Sequence, residues 1–98
     1  MLPMNSKEER LNALALELER ELMKNYGSPL LTGEKLSEAM GYRSIHSLRK
    51  HMSQQSFPVE LFTIKGRKGR FALVKDIAVW LARQRIENQY TPKDKPMD

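Results

Sequence analysis

Residues 32–52 read TGEKLSEAMGYRSIHSLRKHM, a pattern that predicts two short helices joined by a tight turn. Thr32 is a good N-cap for the first of these helices. Gly41 follows the last apolar residues of that helix, at a position where a helix end favours positive φ. Ser44 is the expected N-cap of the second helix, which we expect to continue through about Gln54.

The second helix has an apolar face and a polar face. Ile45, Leu48 and Met52 recur at helical spacing and are expected to point inward. The outward face and its flanks then carry polar and basic side chains and no acidic one: Arg43, Ser44, His46, Ser47, Lys50 and Gln54, with Arg49 nearer the buried edge. A face without carboxylates suits a groove lined by phosphates, and a plain solvated face is the alternative.

One helix is predicted before this helix pair in the sequence. A hairpin and then a last helix are predicted after it. Residues 10–24 favour a helix whose leucines Leu11, Leu14, Leu18 and Leu22 form one apolar stripe. Residues 59–64 and 70–74 are predicted as the two strands of a hairpin. Asp76 is expected in the first turn of a last helix, which continues through about Ile86.

The tip of the predicted hairpin is basic. Residues 65–70 read KGRKGR, which places Lys65, Arg67, Lys68 and Arg70 within six positions. Small glycines allow close approach to a groove, and arginine favours narrow minor grooves, so we expect this tip to contact the minor groove or phosphates. A plain soluble turn is the alternative.

These elements together predict a mainly α fold with a small β-hairpin. The order of a helix, a glycine turn, a helix, a hairpin and a helix is that of a winged helix-turn-helix, which we assign to residues 29–86. Residues 1–28 form an N-terminal amphipathic helix, and the polar residues 87–98 are expected to be a disordered tail. In this arrangement the second helix of the pair lies in the major groove of DNA.

Charge is concentrated in one segment of the 98-residue chain, whose formal net charge is +5. Residues 1–42 carry five basic and seven acidic side chains, whereas residues 43–75 carry eight basic side chains and one acidic. A local formal charge of +7 favours a polyanionic partner for that segment.

Composition argues against several other classes of protein. Absence of cysteine excludes disulfides, thiolate nucleophiles and cysteine-based zinc sites. His46 and His51 are five residues apart, so on a helix they diverge by about 140° and do not share a metal. We expect no enzymatic activity, cofactor, metal, small-molecule substrate or membrane span, and a cytoplasmic, nucleoid-associated location.

The chain resembles the small winged helix-turn-helix proteins of the excisionase, AlpA and MerR groups, and especially the pyocin-activator (PrtN-like) proteins of bacteria and their mobile elements. The matching segments are residues 31–34 (LTGE), 41–44 (GYRS), 57–59 (FPV), 66–73 (GRKGRFAL) and 76–81 (DIAVWL). The resemblance implies sequence-specific binding of double-stranded DNA and a regulatory role in a plasmid, prophage or integrated element. Carried over by position, it implies base reading by Ser44, His46, Ser47 and Lys50, and wing contacts by Arg67 and Lys68.

Three functions are compatible with this reading. The first is a transcriptional regulator, most simply a repressor that binds operator DNA. The second is an excisionase-like architectural factor that binds tandem sites and bends DNA. The third is a protein–protein adaptor with the same fold, which the +7 segment disfavours.

The leucine stripe of the first helix has two possible partners. It can pack on the winged domain of its own chain or against its copy in a second subunit, and both bury the same face. We expect a homodimer, because paired domains read paired half-sites. A dimer also slightly favours the regulator over a tandem-binding factor.

Overall fold

The computed structural model describes residues 6–54 and 57–89. They form four helices and one two-stranded antiparallel sheet, which confirms the prediction of a mainly helical chain with a small β element. The elements, in chain order, are α1 (Ser6–Tyr26), β1 (Leu30–Leu31), α2 (Gly33–Met40), α3 (Ile45–Met52), β2 (Ala72–Leu73) and α4 (Val74–Gln89).

The sheet differs from the predicted hairpin. β2 pairs with β1, with Leu30 opposite Leu73 and Leu31 opposite Ala72, so its partner comes from the start of the α2 region. The prediction of strands over 59–64 and 70–74 was therefore wrong in extent. Between these two segments, one antiparallel bridge joins Phe62 and Phe71, whose amides each donate to the other's carbonyl at 3.0 and 2.8 Å.

Two helix ends also differ from the predictions. α3 ends at Met52, so Gln54 lies beyond the helix on which it was predicted. α4 begins at Val74, within the predicted second strand, and continues to Gln89. The predicted tail therefore begins too early, at Glu87, and its residues 90–98 lie outside the described part of the chain.

α1 packs along α4 of the same chain. Leu22 shares the core with Ile77 and Ala78 of early α4, whereas Leu11 and Glu87 line one groove near the other end of that helix. The two helices therefore run in opposite directions. Between them, the fully buried Ala82 allows close approach of the backbones.

The core joins all of these elements. Leu36 of α2, Leu48 of α3, Val74 and Ile77 are the largest side chains that are fully buried. Leu36, Leu48 and Ile77 lie where helical spacing places the inward faces, whereas Val74 was predicted in a strand; partly buried aromatic side chains close the edges of the cluster. This core fixes α2 and α3 against α4.

Candidate nucleic-acid interface

The turn between α2 and α3 is held by a pattern of hydrogen bonds typical of a glycine helix end. Gly41 adopts φ +83°, and its amide donates to the carbonyl of Glu38 at 3.1 Å. The amide of Tyr42 donates to the carbonyl of Ser37 at 2.9 Å, which completes a Schellman motif. The predicted role of Gly41 as the helix-ending residue is therefore confirmed.

Two serines fix the start of α3. The amide of Ser47 donates to Ser44 Oγ at 3.2 Å, which confirms Ser44 as the N-cap. The hydroxyl of Ser37, which is buried, donates to the carbonyl of Ser44 at 3.0 Å and so joins α2 to the first turn of α3. The sequence reasoning missed Ser37, although a serine on the apolar face of α2 was the available signal.

The outward face of α3 carries exposed basic side chains. Arg43, His46, Arg49 and Lys50 are all exposed, and Ser47 is half-buried. Arg49 is therefore more accessible than its predicted place near the buried edge. Within residues 6–54 and 57–89, no carboxylate forms an ion pair with Arg43, Arg49 or Lys50, and all three are exposed.

The end of α3 is braced by aromatic rings. Tyr42 stacks on His51 with ring centroids 4.8 Å apart, and Phe57 packs on Tyr42 at 6.3 Å. His51 Nδ1 lies 2.8 Å from the carbonyl oxygen of Ser47, and because a carbonyl only accepts, this nitrogen carries a proton. Burial raises the pKa of the Tyr42 hydroxyl above its ordinary value. His51 is thus a structural residue of the helix edge.

The basic loop, residues 63–70, leaves the Phe62–Phe71 bridge and returns to it. The amide of Arg67 donates to the carbonyl of Ile64 at 2.9 Å, which closes a turn in which Gly66 has φ +84°. Such a turn requires a residue that tolerates positive φ at this position, and glycine does so without strain. The loop therefore projects the exposed Lys65 and Lys68 on a closed turn.

Two of the four loop cations contact the chain itself. The guanidinium carbon of Arg67 lies 5.1 Å from the centroid of the Phe71 ring, a cation–π arrangement. Arg70 Nη1 donates to the carbonyl of Met52 at 3.4 Å, at the end of α3. The loop base is thereby held next to the candidate reading helix.

The same loop is also joined to the start of α2. Thr32 occupies the predicted N-cap position, but its hydroxyl makes no capping hydrogen bond. It donates instead to the carbonyl of Arg70 at 2.6 Å. Thr32 is therefore confirmed as the N-cap residue of α2 by its position, but its side chain does not cap the helix.

The four leucines predicted as dimerisation candidates lie on the α4 side of α1. Leu22 is buried and Leu11, Leu14 and Leu18 are half-buried. Leu18 packs against the core, and Leu14 lines a groove with Ile86 of α4. Two other large apolar side chains of α1, Leu16 and Met23, are exposed.

Two other kinds of feature are absent from residues 6–54 and 57–89. This part of the chain holds no group of three or more histidine or acidic side chains placed to bind a metal ion. None of its helices combines the length and apolar character that a membrane span needs. No protein-family model matches the chain, and no curated protein or solved structure matches it.

Proposed function

We propose that the chain is a sequence-specific DNA-binding regulator of winged helix-turn-helix type, with α3 in the major groove and the basic loop as the wing. The observation that carries this proposal is the placement of two cationic surfaces side by side, the exposed face of α3 and the basic loop. Arg70 connects the base of the loop to the end of α3, which presents Arg49 and Lys50 to solvent. A duplex offers a matching row of phosphates and base acceptors.

The support from local structure is that α3 is rigidly placed. Its start is fixed by the Ser44 cap and by the Ser37 hydrogen bond, and its end by the Tyr42–His51 stack. Base reading requires side chains on an element whose position is set before binding.

A regulator and an architectural factor remain the two candidate roles on DNA. The predicted dimer favoured the regulator, but the leucine stripe of α1 is used against α4 of the same chain. A second copy would therefore need a different surface, which favours the excisionase-like alternative more than the sequence did. The adaptor role is disfavoured by the absence of acidic partners for the α3 cations within the described residues.

The test is a titration of the full chain against duplex DNA surrounding its own gene, with excess competitor DNA at two salt concentrations. We expect a discrete shift that survives competitor and weakens steeply with salt, because each neutralised phosphate adds about 0.9 to the slope of log K against log salt. Footprinting then separates a symmetric site, expected for a dimeric regulator, from tandem sites. Absence of any salt-sensitive binding to duplex DNA would refute the proposal.

Single alanine variants test which surface of the chain binds DNA. Lys50→Ala and Arg43→Ala are expected to lower specific affinity without unfolding the chain, and Lys68→Ala to weaken binding to all sequences alike. Arg85→Ala is the matched control, because it removes one exposed positive charge from the groove between α1 and α4. Equal effects of Arg85→Ala and Lys50→Ala would contradict the assignment of α3 as the reading helix.

A further inference from the structure

The polar atoms that α3 leaves available are nearly all hydrogen-bond donors. Arg49 and Lys50 are exposed and have only donors. Of the two hydroxyls at the helix ends, Ser44 Oγ accepts the Ser47 amide and keeps its O–H donor. Ser53 Oγ donates to the carbonyl of Lys50 at 2.8 Å, and its acceptor lone pairs lie just beyond the end of α3.

Side chains that could accept hydrogen bonds are scarce on this face. Between Ile45 and Met52 the sequence contains no aspartate, glutamate, asparagine or glutamine. Gln54 lies two residues beyond the end of α3. His46 can offer one acceptor nitrogen when neutral, and the hydroxyl of Ser47 belongs to a half-buried residue.

The major-groove edges of the four bases differ in what they require. Guanine presents two acceptors, N7 and O6, and pairs with arginine or lysine. Adenine presents an acceptor and a donor and is best read by an amide side chain, and cytosine presents a donor that requires an acceptor such as a carboxylate or a hydroxyl. A face of donors therefore discriminates in favour of guanine.

We infer that α3 selects DNA sites with guanine in the major-groove positions it faces, through Lys50 and Arg49. This inference rests on the proposed function and deepens it, because it assigns the chemical class of base that the reading helix recognises. Thymine O4 is a single acceptor beside a methyl group, so it satisfies one donor but not a pair.

The experiment begins with selection of binding sites from a random duplex library by the full chain. Each guanine of the selected site is then replaced by 7-deazaguanine, which keeps base pairing but removes the N7 acceptor. We expect at least one guanine at which this replacement weakens binding roughly 5-fold or more, within the range of about 5- to 150-fold for a bidentate base contact. Replacement of adenines by 7-deazaadenine is the matched control and should have little effect.

Lys50→Ala identifies the guanine that this side chain contacts. In that variant the 7-deazaguanine replacement should have no further effect at one position, because the contact has already been lost. Lys68→Ala removes one charge from the wing instead, and we expect it to weaken binding while leaving the effect of every 7-deazaguanine unchanged.

The outcomes separate this inference from the proposed function. Selected sites without guanine enrichment, or tight specific binding that is insensitive to every 7-deazaguanine, would overturn the inference while leaving DNA binding in place. A selection that yields no sequence preference and no salt-dependent binding would refute the proposed function, and the inference with it.

Discussion

Replacement of Gly41 by alanine of either hand tests the turn that sets α3 against α2. Gly41 has φ +83°, and a β-carbon there would meet no heavy atom within 4 Å, so the effect of L-alanine is conformational and not steric. The left-handed conformation costs an L-residue about 1–2 kcal/mol. A methyl group also restricts the unfolded chain, which offsets about 0.4–1 kcal/mol of that loss.

Because of these two contributions, L-alanine and D-alanine are expected to change the free energy of unfolding in opposite directions. Gly41→Ala is expected to lower the free energy of unfolding by about 1 kcal/mol. D-alanine at position 41, introduced by chemical synthesis of the chain, prefers positive φ and should raise it by about 0.4–1 kcal/mol. Both enantiomers restrict the unfolded chain equally, so their difference of about 1–2 kcal/mol reports the native backbone conformation alone.

The assay is urea unfolding followed by Trp80 fluorescence and by circular dichroism, with thermal melts in parallel. A loss of about 1 kcal/mol corresponds to a decrease in melting temperature of about 4–8 °C for a domain of this size. Equal stabilities of the L- and D-alanine proteins would refute the left-handed conformation at Gly41. They would also remove the Schellman turn on which the position of α3 depends.

Three further predictions concern Ser37 of α2, Trp80 of α4 and Tyr26 of α1. Ser37→Ala should lower the free energy of unfolding by about 0.5–1.5 kcal/mol in urea, because the Ser44 carbonyl loses one of its two donors and keeps the Leu48 amide. Trp80→Ala should cost about 2–3 kcal/mol in thermal melts, less than the loss for a fully buried tryptophan, since Trp80 is half-buried. The pKa of Tyr26 is raised above its ordinary value, mainly by burial and secondly by the hydrogen bond that its hydroxyl donates to Glu38. The Tyr26 proton therefore stabilises the fold below about pH 10, and this contribution is lost as pH rises through the folded-state pKa, a decline that Tyr26→Phe should reduce.

The elements that the sequence predicted well are those specified by local chemistry. Gly41 and Ser44 have the residue types that a helix end and an N-cap require, and both occupy those positions. Helical spacing correctly placed Leu48 inward, because a short helix on a core has one face that it can bury. These signals act within a few residues, so no knowledge of the rest of the fold was needed.

The errors arose where the partner of a backbone or side-chain group comes from a distant segment. β2 pairs with β1, about forty residues away, and the amide of Val74 donates to the carbonyl of Pro29 at 2.8 Å. Of the predicted hairpin, the Phe62–Phe71 bridge is formed. The Thr32 hydroxyl likewise donates to the carbonyl of Arg70, 38 positions along the chain. Local propensity does not contain these non-local partners.

Packing of α1 on α4 bears on the functional role of the N-terminal helix, because its apolar face is buried within the same chain. Ala78, Ala82 and Ile86 recur every four residues on α4 and are buried, and α1 is the element packed most extensively against that helix. A chain without α1 would expose this apolar row, and a domain of residues 29–86 alone would have a marginal core. α1 therefore packs as part of the domain, which is the first of the two arrangements predicted for its leucine stripe. Coupling between two copies must then come from other surfaces or from adjacent sites on one DNA molecule, which is why the symmetry of the footprint distinguishes the two proposed roles.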